Sequence, residues 1–130
     1  MTESPLISIV DDDDTARAAI ESLVRSLGFE THAFASGELF LHSSSLSKTQ
    51  CLILDVEMPN MTGIELQGHL SQLGFDIPII FITGYPDEVV RQRALQAGAV
   101  AFLVKPFDIY GQSFVDRIHE AVKRHKKPAP

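Results

Sequence analysis

The sequence predicts an α/β domain: a doubly wound, five-stranded parallel sheet of order 2-1-3-4-5, flanked by five helices. Three observations carry that expectation. Short apolar runs alternate with helical stripes along the whole chain, the pattern of repeated strand–helix–strand units. Several of those runs are apolar at nearly every position, as strands covered on both faces are. Right-handed crossovers then restrict the topology to a doubly wound sheet with a switch point between its first and third strands.

Each element has its own signal. Residues 6–10 are apolar and run into four consecutive aspartates, Asp11 to Asp14. A helix over 15–27 carries its stripe at Ala16, Ile20, Leu23, Val24 and Leu27, with Asp14 expected as its cap and Gly28 as its stop. Residues 29–34 read as a second strand and Ser36 as the cap of a brief helix around Leu39, Phe40 and Leu41. Residues 43–50 read as a polar, serine-rich loop.

The third strand begins at Cys51 and delivers one carboxylate, Asp55, at its end. Met58-Pro59 stops it, because proline lacks the N–H that a ladder needs. Thr62 and Glu65 have the spacing of a capping box, and Leu66, Leu70 and Leu73 stripe the helix that follows to Gly74. A fourth strand over 77–82 tolerates Pro78 only near its start and ends in Thr83-Gly84. Pro86 suits the first turn of a fourth helix, with Asp87 and Glu88 at its positive end. A fifth strand over 100–104 ends in Lys105-Pro106, and Phe114, Ile118, Ala121 and Val122 stripe a last helix over 112–125.

Composition narrows the function. The 130 residues suffice for one domain with a substantial core, expected over 1–125, with 126–130 as a tail or the start of a linker. Hydrophobic content of 45% and charged content of 22% are those of a globular chain. A net charge of −6 argues against nucleic acid binding by this domain. The lone cysteine, Cys51, lies in an apolar run and fits a reducing cytoplasm. The N-terminus lacks the basic region of a signal peptide, and no apolar run approaches a membrane span.

Four of the five strands end in a chemically capable residue: Asp11-Asp12, Asp55, Thr83 and Lys105. In open α/β sheets that edge is where ligands collect. Carboxylates held close together repel, so some stay protonated or a cation is bound. Hard oxygen ligands with open positions suit Mg²⁺ or Mn²⁺, often shared with a phosphoryl group. Asp55 can act as a nucleophile forming an acyl phosphate, with Lys105 as a point charge and Thr83 as a hydroxyl donor to phosphoryl oxygens. Taken singly, Lys105 reads as a surface lysine and Thr83 as a helix cap.

With these signs in place, the chain resembles a response-regulator receiver domain of two-component signalling, from Leu6 to His125. The resemblance rests on Val10-Asp11-Asp12, on Asp55 with Met58-Pro59 and Gly63, on Ile82-Thr83-Gly84 and on Lys105-Pro106-Phe107. The wording around Asp55 and Ile82-Thr83-Gly84 is similar to the FixJ/NarL-like branch, which usually carries a helix-turn-helix output domain. The resemblance implies that Asp55 accepts a phosphoryl group from a phosphohistidine on a sensor histidine kinase. It implies Mg²⁺ on Asp12, Asp55 and the Glu57 backbone carbonyl, with Asp11 acting through water. Lys105 would pair with the phosphoryl oxygens, Pro106 would follow a cis bond, and Thr83 with Phe102 would form the switch. The implied readout is an output surface or a phosphorylation-dependent homodimer. Glu57, Gly84 and Tyr85 should flank the pocket mouth, with Glu57 and Tyr85 setting the lifetime of the acyl phosphate.

Other classes fit parts of the sequence. Asp11 to Thr15 also matches Asp-x-Asp-x-Thr of haloacid-dehalogenase-type phosphatases, with Asp11 as nucleophile and Asp13 as general acid, but Asp55 would then have no role. His69 and His119 on helices suggest a histidine phosphotransfer module, against which the strand runs argue. The five histidines lack metal-ligand spacing. Asp13 reads as a further charge behind the metal pair. Lys123-Arg124-His125-Lys126 suits a helix C-terminus, and Pro128-Ala129-Pro130 a linker start, so both a receiver cut from a longer regulator and a stand-alone receiver fit.

Overall fold

The computed structural model describes residues 4–126; of the tail or linker expected over 126–130, Lys126 instead closes the last helix, and residues 127–130 lie outside the described ones. Five parallel strands, β1 (Leu6–Val10), β2 (Glu30–Phe34), β3 (Cys51–Asp55), β4 (Ile79–Thr83) and β5 (Ala101–Val104), form one sheet in the order β2-β1-β3-β4-β5. Between and after them run α1 (Asp14–Ser26), α2 (Gly37–Leu41), α3 (Gly63–Gln72), α4 (Glu88–Gln96) and α5 (Gln112–Lys126). The expected topology is the observed one. No helix among the described residues is long and apolar enough to cross a membrane.

Every residue of β1, β3 and β4 is buried, which is why those runs lack polar alternation. Their side chains still alternate by face. Ile7, Ile9, Ile53, Ile80 and Ile82 meet Ile20 and Val24 of α1 and Phe114, Ile118 and Ala121 of α5. On the other face Leu52, Leu54 and Phe81 meet Phe40 of α2, Leu66 and Leu70 of α3 and Ala94 of α4. Cys51 is buried in the first of these clusters, which pushes its thiol up to about 12 and leaves it inert packing.

Several local expectations are corrected. The cap of α1 is Asp13, whose Oδ1 accepts from the backbone N–H of Thr15 and Ala16. Asp14 is instead the first helical residue and pairs with Arg17. Asp87 caps α4, accepting from Val89 and Val90, so Pro86 stands before the cap rather than in the first turn. Leu73 leaves the apolar stripe: it sits at the C-cap of α3, past the turn that faces the sheet, and is 61% exposed.

The serine-rich stretch is not a plain polar loop either. It contains a 3-10 turn, Leu46–Lys48, flanked by buried Ser45 and Thr49. Their hydroxyls are satisfied internally: Thr49 donates to the Ser45 carbonyl and pairs with Ser8 of β1, while Ser45 pairs with His32 Nδ1. The runs expected over 77–82 and 100–104 pair later than their hydrophobicity begins. Pro78 contributes only its carbonyl, which accepts from Leu52.

Candidate functional site

Parallel register brings the strand ends together. Val10 pairs with Leu54, so the next residues, Asp11 and Asp55, come level across the β1–β3 seam. Thr83 closes β4 opposite Val104, and Lys105 follows, its N–H donating to the Thr83 carbonyl at 2.8 Å. The seam between β1 and β3 is the topological switch point, where two crossovers diverge to opposite faces and leave a cleft.

The turn after Asp55 is shaped by Asn60, which adopts φ 70°, and by Gly63. Gly63 donates to the Val56 carbonyl, and a Cβ on it would lie 2.3 Å from the Asp55 carbonyl oxygen. The chain can therefore double back under Asp55 only on a glycine. The Thr62–Glu65 capping box, with both reciprocal bonds made, then starts α3.

Asp11, Asp12 and Asp55 each place a carboxylate oxygen within 4.8 Å of the others. Lys105 Nζ lies 3.2 Å from Asp11 Oδ2 and 3.5 Å from Asp55 Oδ1. Asp11 and Asp55 are buried, and Asp12 is exposed. Burial, then the charge of Asp11, raises the Asp55 carboxyl to about 7; Lys105 opposes this and Glu57 and Asp12 add to it. Burial alone would lower the Lys105 ammonium, but Asp55 and Asp11 together raise it above its ordinary 10.5. One cation shared among several carboxylates produces both effects: the cation gains, and the acids remain short of positive charge.

The Asp55 Oδ1 atom is buried without a hydrogen bond, its Lys105 contact being an ion pair at longer range. A buried carboxylate oxygen lacking a donor, beside two more carboxylates, fits a hard divalent cation. Asp12, Asp55 and Asp11 could supply oxygen ligands to it.

The remaining expected residues take distinct places. Thr83 is fully buried, but its hydroxyl donates to Glu57 Oε1 at 2.6 Å and accepts from the Tyr85 N–H. Thr83 is thus tied to Glu57 rather than directed at Asp55. Gly84 faces open space, and Tyr85 is 77% exposed. Phe102 is half-buried against the cluster under α4, its ring 6.2 Å from that of Phe81. The Lys105–Pro106 bond is cis. Of the rival sites, Asp13 is committed to capping and His119 packs on Phe29. Two features were not read from the sequence: the Glu57–Thr83 bond and Arg17, which holds the Asp11 carbonyl. Helical spacing put Arg17 one turn past the aspartates, a signal too common to single out.

Fold and cleft define a doubly wound α/β domain with a lysine-bridged acidic pocket at its switch point. Residues 7–120 match the family model of the response regulator receiver domain. The chain belongs to that family. It is 47% identical over 102 residues to the response regulator protein TodT of Pseudomonas putida, covering 78% of this chain and 45% of TodT. Among solved structures it is similar to the response regulator StyR, with TM-score 0.85 and 39% identity over 95% of this chain and 61% of that one. FixJ-N aligns with TM-score 0.82 and 30% identity over 99% of this chain and all of that one. The chain spans about half the length of the curated relatives it matches.

Proposed function

We propose that Asp55 is the phosphoacceptor of this receiver domain, and that its phosphorylation switches a surface read by an output domain or a partner. The observation that supports this most directly is the buried Asp55 oxygen without a hydrogen-bond donor, 3.5 Å from Lys105 and close to the Asp11 and Asp12 carboxylates. In the reaction, an Asp55 oxygen attacks the phosphorus of a phosphohistidine on a sensor kinase. The phosphorus–nitrogen bond breaks, and the imidazole leaves with the electron pair and takes a proton from water. Asp12, Asp55 and the Glu57 carbonyl, with Asp11 through water, would hold Mg²⁺ or Mn²⁺. The bound ion would neutralise charge building on the phosphoryl oxygens.

Lys105 stays against the new phosphoryl group, and Thr83 exchanges its Glu57 partner for a phosphoryl oxygen. That displacement opens space for Phe102 to turn inward and biases the surface of α4, β5 and α5. A domain that ends with α5 at Lys126, with a linker start after it leading to a helix-turn-helix domain, suits control of transcription in the cytoplasm. Incubation with a small phosphodonor and Mg²⁺, read by intact mass, tests the proposal. A single phosphoryl adduct is expected, lost in Asp55→Asn and retained at a reduced rate in Asp11→Asn. Loss only in Asp11→Asn would favour the phosphatase chemistry instead.

A further inference from the structure

We infer that Arg17 is a positioning residue for the ion-binding carboxylates, acting through the backbone on either side of Asp12. This rests on the reading of Asp12 and Asp55 as ligands. Asp12 is exposed, and its side chain makes no hydrogen bond or ion pair with the described residues. Its aim into the cleft therefore depends on its main chain.

That main chain is anchored on both sides. Before it, Arg17 Nη1 donates to the Asp11 carbonyl at 2.8 Å, fixing the plane of the Asp11–Asp12 peptide. After it, the Asp13 N–H donates to Asp11 Oδ1 at 2.9 Å. The Asp11 N–H is in turn held by the Phe34 carbonyl of β2. The other guanidinium nitrogen, Nη2, pairs with Asp14. A planar fork with two fixed donors serves this geometry, since one arm grips the carbonyl while the other is held by a carboxylate. Asp14 thus has a task beyond starting α1: it keeps the guanidinium turned to the backbone and away from the Asp12 carboxylate, which the cation would otherwise neutralise. The Arg17 side chain is 21% exposed, so its stem is packed and the fork has little freedom to wander.

The sign of the effect separates positioning from simple electrostatics. Arg17 is a positive charge beside a cation site, so Coulomb's law alone predicts that removing it tightens divalent-ion binding. Loss of positioning predicts the reverse, because an unanchored Asp12 must be ordered when the ion arrives.

The experiment titrates Mn²⁺ into the 130-residue chain, following free Mn²⁺ by electron paramagnetic resonance and displacing it with Mg²⁺. Arg17→Met keeps the stem and removes both donors; Arg17→Lys keeps the charge but cannot bridge both acceptors. Arg17→Met is expected to weaken Mn²⁺ and Mg²⁺ by about tenfold, as loss of an outer-shell partner does. Arg17→Lys should fall between it and the parent. Melting temperatures in EDTA report folding separately. A role confined to folding would lower them while leaving affinity unchanged. Affinity in a folded variant equal to or tighter than the parent's overturns the inference, and Arg17→Lys alone decides it should Arg17→Met not fold. A parent chain that takes up no Mn²⁺ would instead overturn the reading of the carboxylates as ligands.

Discussion

Replacing Asp55 by asparagine should make the metal-free protein more stable at neutral pH, although it removes the residue on which the proposed chemistry depends. Raising the Asp55 carboxyl from 3.8 to about 7 means that its surroundings, with the attraction of Lys105 already counted, oppose its ionised form by about 4 kcal/mol at most. Asparagine escapes that cost in a nearly isosteric shape. The buried amide has hydrogen-bonding groups of its own to satisfy there, so about half the gain should survive, roughly 2 kcal/mol or 5–10 °C in Tm for a domain of this size.

The pH dependence has a defined sign. Between pH 4 and 7 the folded parent holds a proton on Asp55 that the unfolded chain has released, so this group's contribution falls as pH rises through that window. The asparagine variant lacks the decline. Urea unfolding of both proteins in EDTA from pH 5 to 8 should show the gap widening toward pH 8, and saturating Mg²⁺ should narrow it by stabilising the parent. A variant no more stable than its parent at pH 8, or a gap independent of pH, would refute the assignment of electrostatic frustration to Asp55.

Gly63→Ala places a methyl 2.3 Å from the Asp55 carbonyl; it should cost about 1–3 kcal/mol in urea unfolding and slow phosphorylation by moving the end of β3. Unchanged stability would mean the turn after Asp55 has slack that this geometry denies. Glu57→Ala removes both a negative charge near Asp55 and the acceptor holding Thr83, so the acyl phosphate should live several-fold longer. Tyr85→Ala should shorten that lifetime by uncovering the pocket mouth; identical decay in both variants and the parent removes the idea. Phe114→Ala empties a fully buried site between α5 and the sheet and should cost about 3–5 kcal/mol without altering the cleft.

The topology was legible because hydrophobic period and punctuation agreed. Residues 6–10, 51–55 and 77–82 read as strands, and those of 6–10, 51–55 and 79–83 are buried throughout; α1, α3 and α4 are each followed by a glycine at positive φ, Gly28, Gly74 and Gly98. Caps were less legible where two candidates adjoin. Asp13 and Asp14 are chemically identical, and the choice falls on whichever backbone is extended, which here is Asp13 at φ −85°, ψ 114°. The same holds for Pro86 and Asp87. In the cleft, strand ends revealed which residues meet, because position along a sheet is set by register. They could not reveal that Thr83 spends its hydroxyl on Glu57, since that depends on a side-chain torsion in a loop. Nor could they reveal Arg17, whose acceptor is a backbone carbonyl and leaves no trace in residue type.

The Glu57–Thr83 bond gives the resting protein a specific character. A buried hydroxyl needs an acceptor, and the Tyr85 N–H already occupies one of its lone pairs. With Asp55 short of donors and Glu57 accepting the hydrogen bond from the Thr83 hydroxyl, the two carboxylates share very few donors at this sheet edge. A phosphoryl group on Asp55 would alter that competition by presenting three strong acceptor oxygens close to Lys105 and Thr83. The proposed switch would then need no strain stored elsewhere. It would need only that Thr83 gain more from the phosphoryl oxygen than from Glu57, and that Glu57, which is exposed, turn to water when released. A rim carboxylate is thus a low-cost holder for the hydroxyl, because letting go leaves no buried charge behind.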